Sequence, residues 1–279
     1  MQTSIASALS HPPSIVAIGE CTLDDYFLQD ETHVGGIALN FAVHAARAGA
    51  RSALVSRVGT DGDAQVRAAL RENAVDATHV SVDACLPTAC QRIALHADGE
   101  RIFPPGGYTF GAMHGFLPDA AALRFIATHD ALACPCYSQA LPLFMHMLAQ
   151  PFAGMRMADF SDLADVDHDV GFIARHAPAL GIAFVGADVA LADPMHQLSL
   201  QTDCLLVLTL GARGSLAFVR GARVYQAAMH IAHVQDTTGC GDAFQAAFAV
   251  QWLRNRDVQA SLATGAAQAA RVAAIKGAF

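Results

Sequence analysis

Lysine is almost absent from this sequence. Its 279 residues carry 17 basic side chains, and Lys276 is the single lysine among them. A phosphate-binding loop of the GxxxxGK[ST] type needs a lysine directly after its second glycine, and the sequence has no such pattern. Protein kinases and Schiff-base enzymes also depend on a lysine. The composition therefore excludes these three classes, unless Lys276 fills that role.

Basic charge in general is scarce. The 17 basic residues face 25 acidic ones, which gives a net charge of −8. This balance provides no general affinity for nucleic acid or for anionic membranes. Residues 131–155 carry no charge, but Pro135, Pro142 and Pro151 divide them into a strand, a turn and a helix. We therefore expect neither nucleic acid nor a membrane among the partners.

The features of a disulfide or metal framework are missing as well. The seven cysteines are scattered and odd in number, so we expect buried free thiols in a reducing cytoplasm. The thirteen histidines form no HExxH motif and no ladder with cysteine, so we expect no structural metal. The amino-terminal residues have neither the basic region nor the apolar run of a signal peptide. These observations together favour a cytoplasmic location.

Apolar residues dominate the chain. They make up 53% of it and charged residues only 15%, which excludes a disordered protein. Short apolar runs alternate with helical patterns, an order that predicts an α/β fold with a mostly parallel sheet covered on both faces. The predicted strands are residues 14–19, 53–58, 130–134, 155–159, 182–185 and 204–209, and the helices between them are residues 37–48, 63–73, 138–149 and 166–176.

Two regions depart from this alternation. Residues 21–34 and 88–103 have the alternating pattern of strands, the second with a turn at Asp98-Gly99. We expect the segments at about 21–34 and 88–108 to form a small antiparallel β lid beside the main sheet. The chain then ends in a hairpin, with strands at 215–219 and 224–227, and in two helices at 241–254 and 258–274.

The most informative segment is Asp236-Thr237-Thr238-Gly239-Cys240-Gly241-Asp242-Ala243-Phe244. Two glycines and a small residue stand directly before a predicted helix, so their backbone N–H groups face whatever lies beyond the helix start. The free amides and the helix dipole together favour an anion there. Asp242 is then either a carboxylate beside that anion or an ordinary acidic residue in a first turn.

The complete string resembles the DTxGxGDxF signature of the ribokinase-like, PfkB-type carbohydrate kinases, and the resemblance extends over nearly the whole chain. Three further segments resemble other motifs of that family: Gly35-Gly36-Ile37-Ala38-Leu39-Asn40, Gly59-Thr60-Asp61-Gly62 and Thr209-Leu210-Gly211-Ala212-Arg213-Gly214-Ser215. Within the family the chain is most similar to the fructoselysine 6-kinase group, on Ile18-Gly19 with Asp24, Asp159-Phe160-Ser161-Asp162 and Gly277-Ala278-Phe279.

The resemblance implies a single ribokinase-like domain over residues 1–279, with a three-layer α/β/α architecture and ATP-dependent phosphoryl transfer to a sugar hydroxyl. It makes Asp242 the base and the amides of Gly239, Cys240 and Gly241 an anion hole. It assigns sugar binding to Asp24, Gly35, Gly36, Asn40 and Asp242, and nucleotide binding to Thr209, Gly211, Gly214, Thr237, Gly239 and Gly241. It also implies Mg²⁺ and a homodimer formed through the lid.

Each assignment has an ordinary structural alternative. Asn40 would bond a nearby loop, Asp24 would face solvent from a strand, and Thr209 would end a strand without a ligand. For Asp159 and Asp162 we favour a structural role at the carboxyl edge of the sheet, although ligands bind at that edge in α/β folds. Arg92 and Arg101 are either lid residues that meet an anion or surface charges.

Four positions depart from the family pattern. Glu20 stands where aspartate is usual, and Ile37 stands where the fructoselysine group tends to have asparagine, which changes the polar groups offered to a substrate. Cys240 replaces alanine and is small enough to leave the anion hole open. Ala190 occupies the expected position of a magnesium-organising glutamate, so only Asp188 or Asp193 is a substitute. Mg²⁺ still arrives on ATP and needs few protein ligands.

The first expected substrate is a fructoselysine-like fructosamine. A ribokinase, fructokinase or nucleoside kinase of the same fold is the alternative within the enzyme class. From another class comes a non-catalytic relative that binds sugar or nucleotide without turnover, an alternative suggested by Ala190 and Ile37.

Overall fold

The computed structural model describes residues 11–279, which form fifteen strands and eight α-helices. The amino-terminal residues considered for a signal peptide lie largely outside this range. The strands are β1 Ser14–Ile18, β2 Thr22–Tyr26, β3 Glu31–Gly35, β4 Arg51–Gly59, β5 Asp76–Asp83, β6 Ala89–Arg92, β7 Ala94–Leu95, β8 Arg101–Ile102, β9 Tyr108–Thr109, β10 Ala131–Pro135, β11 Met155–Asp159, β12 Ile182–Gly186, β13 Leu205–Thr209, β14 Ser215–Val219 and β15 Ala222–Gln226. The helices are α1 Ile37–Arg47, α2 Asp63–Glu72, α3 Ala120–Ile126, α4 Leu141–Ala149, α5 Val170–His176, α6 Ala192–Ser199, α7 Cys240–Asn255 and α8 Val258–Ala273.

The main sheet has nine strands in the order β15-β14-β13-β12-β11-β10-β1-β4-β5. All its pairs from β13 to β5 are parallel, and β14 and β15 extend the sheet as antiparallel strands. The predicted α/β fold with a mostly parallel sheet is confirmed. The chain moves outward from β1 in one direction and then returns to add β10 on the other side. This reversal between β1 and β10 opens a crevice at their carboxyl ends, where open α/β sheets bind ligands.

Apolar side chains alternate across β1 and supply a core on each face of the sheet. Ile15 and Ala17 point to the face covered by α1, α7 and α8, whereas Val16 and Ile18 point to the face covered by α3 to α6. This two-residue alternation is what a strand buried on both faces requires. The three-layer architecture follows directly from it.

A second, smaller sheet lies beside the carboxyl edge of the main one. Its order is β3-β2-β6-β9, and β7 and β8 form a separate two-stranded hairpin. The β2–β3 and β6–β9 pairs are antiparallel as predicted, but β2 and β6 pair in parallel. β6 runs parallel to β2 because a long connection separates them. After β3, the chain passes through α1, β4, α2 and β5 before it returns to the small sheet in the direction of β2.

Several elements differ from the sequence-based expectation. β5 was not predicted because its side chains are largely exposed and polar, as befits an edge strand. α6 was not predicted because Pro194 lies within it. α5 begins only at Val170, where the Asp169 carboxylate accepts the Gly171 N–H at 2.8 Å as an N-cap. Within residues 11–279, no helix has the length and apolarity needed to cross a bilayer.

Candidate active site

A cleft of about 1280 Å³ runs along the carboxyl edge of the main sheet, under the small sheet. It is lined by the residues that follow the parallel strands, by the start of α7 and by the β7–β8 hairpin. The candidate site residues that line it are Asp24, Gly36, Asn40, Thr209, Gly211, Gly214, Thr237, Gly239, Cys240, Gly241 and Asp242. The fold thus brings together distant segments of the chain, such as those of Asn40 and Asp242, which are 202 positions apart.

Gly35 is the exception among the candidates, because it does not line the cleft. A Cβ atom at Gly35 would lie 2.1 Å from Oδ2 of Asp24. The glycine therefore provides room for the buried Asp24 carboxylate. Gly36, the next residue, has φ 106° and stands directly before α1, and a Cβ atom there would lie 2.6 Å from the carbonyl oxygen of Glu20. Both positions need glycine because of close packing.

The loop before α7 leaves space in front of its first amides, toward the cleft. Gly239 adopts the left-handed conformation with φ 74°, and a side chain there would collide with Ala278 at 2.5 Å. The Cys240 N–H donates a long bond of 3.3 Å to the Thr237 carbonyl. A Cβ atom at Gly241 would meet no atom within 4 Å. The first N–H groups of this 16-residue helix have no intrahelical acceptor, and the space at Gly241 is open, so the helix start is suited to an anion.

Asp236, the first residue of this motif, anchors the loop. Its Oδ2 accepts hydrogen bonds from the Tyr26 hydroxyl at 2.5 Å and from the Gly277 N–H at 2.9 Å. Its Oδ1 accepts the Thr238 N–H at 2.8 Å. Asp236 is completely buried. One carboxylate therefore joins the small sheet, the loop and the carboxyl-terminal segment.

Asp242 lies at the first turn of α7, directly beside these amides. Its Oδ2 accepts a hydrogen bond from Nδ2 of Asn40 at 2.7 Å, so the ordinary alternative for Asn40, a bond to a nearby loop, is wrong. Desolvation by the surrounding protein raises the pKa of Asp242 to about 8, and the neighbouring Asp159 carboxylate adds to this increase. The Asn40 bond and Arg101 act in the opposite direction. Asp242 is thus a carboxyl group poised to exchange a proton near neutral pH.

Two more carboxyl groups are buried near Asp242. Asp24 is only 4% exposed and accepts a hydrogen bond from the Thr22 hydroxyl at 2.6 Å, so the solvent-facing alternative for Asp24 is wrong. Glu20 is 2% exposed, and its Oε1 accepts the Ile37 N–H at 3.3 Å. Burial raises the pKa of both groups to about 7. This part of the cleft is therefore rich in hydrogen-bond acceptors and poor in positive charge.

Asp159 and Asp162, expected to be structural, both line the cleft. Asp159 ends β11, and its Oδ1 accepts the Ser161 N–H at 2.9 Å. Desolvation raises the pKa of Asp159, with a further contribution from the Asp162 carboxylate. Asp162 itself accepts the Ala164 N–H at 3.0 Å. Each residue thus stabilises its loop while presenting a carboxylate to the cleft.

The far end of the cleft lies beyond β13. Gly211 has φ 58°, and a Cβ atom there would meet no atom within 4 Å, which leaves an open shelf. Gly214 has φ 91°, and a Cβ atom there would lie 2.2 Å from the carbonyl oxygen of Gln226. The Thr209 hydroxyl donates only a long hydrogen bond of 3.4 Å to the Val185 carbonyl. These residues form a wall with little side-chain bulk at the end farthest from Asp24.

The two arginines left open by the sequence have different positions. Arg92 lies outside the cleft, where it pairs with Asp25 at 3.4 Å and stacks over Phe27 at 4.2 Å. Arg101 lines the cleft, and its Nη1 donates to the Thr237 carbonyl at 2.7 Å. Among residues 11–279, Arg101 is the only arginine or lysine in the cleft lining.

The proposed substitutes for the missing metal-organising glutamate are not available for that role. Asp188 pairs with Arg213 at 2.7 Å, and Asp193 pairs with Arg223 at 3.4 Å. Neither lines the cleft. In the part of the chain that the structure describes, no group of three or more His, Cys, Asp or Glu side chains is arranged to hold a metal ion.

Sequence reasoning missed a tyrosine pair that closes one side of the cleft. The hydroxyl groups of Tyr108, in β9, and Tyr137, after β10, are 2.7 Å apart. This hydrogen bond joins the small sheet to the main sheet. The position of Tyr137 directly after a parallel strand was a usable signal, because ligands bind at that edge. Nothing in the sequence indicated its partner.

Comparisons with known proteins identify the family and the fold of the chain. The family model of the pfkB family carbohydrate kinases matches residues 13–114 and 183–278. The chain is 28% identical to 2-dehydro-3-deoxygluconokinase of Thermoproteus tenax, over 95% of this chain and 89% of that protein. It is 29% identical to fructosamine kinase FrlD of Bacillus subtilis (strain 168), over 95% of this chain and 92% of that protein.

The fold is also similar to that of adenosine kinase from Sinorhizobium meliloti. The TM-score is 0.82 at 22% sequence identity, with 96% of each chain covered. This likeness confirms the ribokinase-like architecture. Together with the family match, it shows that the chain belongs to the pfkB family of carbohydrate kinases, which are ATP-dependent sugar kinases.

Proposed function

We propose that the protein transfers the γ-phosphoryl group of ATP to a hydroxyl of a sugar or sugar derivative, with Asp242 as the general base. The observation that carries this proposal is the position of Asp242. It is hydrogen-bonded by Asn40 and follows Gly239, Cys240 and Gly241 at the start of α7, where the cleft is open at Gly241. A base and an anion site must be adjacent, because the attacking oxygen lies between the proton acceptor and the phosphorus atom.

The acceptor sugar binds at the acidic end of the cleft. Asp24, Gly36 and Asn40 line this end, and Oδ1 of Asn40 is buried without a hydrogen-bond partner in the described structure. A sugar hydroxyl is the kind of donor that satisfies such an oxygen. Gly35 contributes indirectly, because it makes room for Asp24. Asp242 then accepts the proton of the hydroxyl that attacks the phosphoryl group.

The phosphate groups bind at the start of α7. The amides of Gly239, Cys240 and Gly241 face the transferred phosphoryl group, where preorganised N–H donors stabilise charge that develops during transfer. Arg101 is fixed beside this loop by its bonds to Thr237 and supplies the one guanidinium group among the described lining residues. Thr209, Gly211 and Gly214 form the shelf for the nucleoside part, with Thr237 between the two regions.

Magnesium fits the charge of this cleft. ATP is an anion, and the described lining presents many carboxylates against a single arginine. Asp159 and Asp162 offer oxygen ligands of the type that Mg²⁺ accepts, directly or through its waters. When bound, the ion neutralises negative charge on the phosphates. Asp188 and Asp193 have no part in this role, because both are paired with arginine.

The small sheet acts as a lid on one kinase domain. The Tyr108–Tyr137 hydrogen bond holds it over the acceptor end. Water must be excluded there, because hydrolysis of ATP competes with transfer to the sugar. We also propose that the lid pairs two subunits into a homodimer. A large apolar side chain on a lid segment outside the cleft lining supports this, since Leu28 is 67% exposed. Light scattering in solution tests the dimer.

A fructosamine, such as a fructoselysine-like compound, is the first substrate proposed. The similarity to fructosamine kinase FrlD supports it, and so does the absence of positive charge at the acceptor end among the described lining residues. A neutral sugar or nucleoside is the alternative within the same mechanism. A non-catalytic relative is disfavoured, because Asp242 and the open space before Gly241 are both in place. ATP and reduced thiols are both found in the cytoplasm, where we place the protein.

The test is ADP formation with Mg-ATP and a panel of acceptors. The panel contains a fructosamine, fructose, ribose, adenosine and 2-dehydro-3-deoxygluconate, and binding of each is measured in parallel by thermal shift. Turnover of a sugar supports the proposal and identifies the acceptor class. Binding of sugar and ATP without ADP formation from any acceptor would contradict it and favour the non-catalytic alternative.

A further inference from the structure

Glu20 has an oxygen atom that no group of the described protein satisfies. Its Oε1 accepts the Ile37 N–H, but Oε2 is buried and has no hydrogen-bond partner. The side chain is 2% exposed and belongs to the cleft lining at the acceptor end. An unpaired, buried carboxylate oxygen is costly, so a ligand that pairs with it gains a large stabilisation.

The other carboxylates of this region accept hydrogen bonds from protein side chains or amides. Asp24 accepts the Thr22 hydroxyl, Asp159 accepts the Ser161 N–H, and Asp242 accepts the Asn40 amide. Glu20 lies close enough to Asp24 and Asp242 to raise the pKa of each. It therefore lies near both the proposed sugar-binding residues and the proposed base.

The basic side chains of the described lining are Arg101 and His230, and neither forms a hydrogen bond or ion pair with Glu20. Arg101 is the one arginine or lysine there, and it is engaged with Thr237 on the phosphate side. The Tyr137 hydroxyl, which is also hydrogen-bonded with Tyr108, interacts with the Glu20 side chain and lowers its pKa, but it is neutral and supplies no counter-charge. The acceptor end thus gathers buried acidic groups that lack a counter-charge, so a bound cation favours their ionised forms, whereas a bound anion opposes them.

We propose that Glu20 binds a positively charged amino group of the acceptor, and so selects amine-bearing sugars over neutral sugars and sugar acids. The inference rests on the proposed kinase function and names the residue that recognises the substrate class. An ammonium group donates a charge-assisted hydrogen bond to Oε2 and brings the counter-charge that the pocket lacks. A carboxylate on the sugar, as in 2-dehydro-3-deoxygluconate, meets repulsion instead.

Glu20 also has a structural role that the test must separate from recognition. Its Oε1 accepts an N–H at the start of α1, where a negative charge is favourable. Glu20→Gln keeps a carbonyl oxygen for this bond and removes the charge. Glu100→Gln is the matched control, because Glu100 is an exposed carboxylate on the β7–β8 hairpin and lines the same cleft.

The experiment compares three acceptors with Mg-ATP: 1-amino-1-deoxyfructose, its uncharged N-acetyl derivative, and fructose. For wild type we expect the highest kcat/KM with the free amine. Glu20→Gln should lower kcat/KM for the amine by at least about 30-fold, the lower end of the effect of removing one partner of a buried charge pair. For fructose the change should stay within about threefold. Glu100→Gln should leave the preference for the amine unchanged.

Two results would overturn the inference while leaving the kinase function intact. One is a wild-type enzyme whose kcat/KM for the N-acetyl derivative or for fructose equals its kcat/KM for the amine. The other is an equal loss with all acceptors in Glu20→Gln, which shows a purely structural role. The wild-type comparison decides the question even when the variant does not fold. Absence of turnover with every sugar would remove the proposed function and this inference with it.

Discussion

Replacing Tyr26 by phenylalanine removes one hydroxyl group from the contact between the small sheet and the loop before α7. That hydroxyl donates a 2.5 Å hydrogen bond to Oδ2 of Asp236, and both residues are completely buried. After the substitution, Oδ2 keeps only the Gly277 N–H. Phenylalanine fits the space of the tyrosine ring, so the lost hydrogen bond is the main change.

The size of the effect follows from the type of bond. A buried hydrogen bond to a carboxylate contributes about 2 kcal/mol to the free energy of unfolding. Unfolding entropy is about 2.1 cal/mol/K per residue, or about 0.6 kcal/mol/K for 279 residues. Dividing the first value by the second gives a decrease in Tm of about 3 °C.

Differential scanning calorimetry of wild type and Tyr26→Phe measures this shift. Tyr225→Phe is the matched control, because the Tyr225 side chain is 56% exposed and its hydroxyl donates a 3.1 Å bond to the Arg213 carbonyl at the surface. We expect its Tm to change by less than about 1 °C. Equal Tm changes in the two variants would refute the role of Asp236 as a buried anchor.

Three further predictions concern the reaction. Gly241→Ala places a methyl group where no protein atom lies within 4 Å, so Tm should change by less than about 1 °C. The methyl group obstructs the phosphoryl site, so kcat/KM should fall about 100-fold. A loss of stability with full activity would contradict this prediction. Arg101→Gln should lower kcat at least about tenfold, whereas Arg92→Gln, outside the cleft, should change it less than about twofold; equal effects would show that Arg101 has no specific role. The pH profile should follow Asp242, whose pKa is raised to about 8: its carboxylate form, the proton acceptor, is lost as the pH falls, so kcat/KM should decrease about tenfold per pH unit below that value. A profile that is flat between about pH 6 and 8 would show that the pKa of Asp242 is not raised in the free enzyme.

Most of the candidate site residues that the structure places in the cleft lining belong to continuous motifs. Asp236 to Asp242 form one string, and the glycines in it specify an open helix start by their lack of side chains. The interior strands of the main sheet, such as β1, β10 and β13, were predicted because each is a short apolar run buried on both faces. In these cases local sequence contains the physical cause of the structure.

The remaining features depend on contacts between distant segments. Tyr108 and Tyr137 are 29 positions apart and belong to different parts of the fold, so only the structure shows that their hydroxyls meet. Arg92 and Arg101 both belong to the lid segment, and the sequence does not distinguish them. In the structure, the β7–β8 hairpin places Arg101 beside Thr237 in the cleft, whereas Arg92 lies outside it. Asp188 matched the expected region for a metal ligand, but an arginine 25 positions later neutralises it.

The most direct test of the proposed mechanism is the rate of phosphoryl transfer in Asp242→Asn. Asparagine can keep the hydrogen bond from Asn40 through its carbonyl oxygen, while it cannot accept a proton at neutral pH. With the best acceptor of the panel and saturating Mg-ATP, kcat should fall by about 10³-fold, and the Kd for ATP should change less than about threefold. Wild-type kcat in this variant would contradict Asp242 as the base and the mechanism built on it.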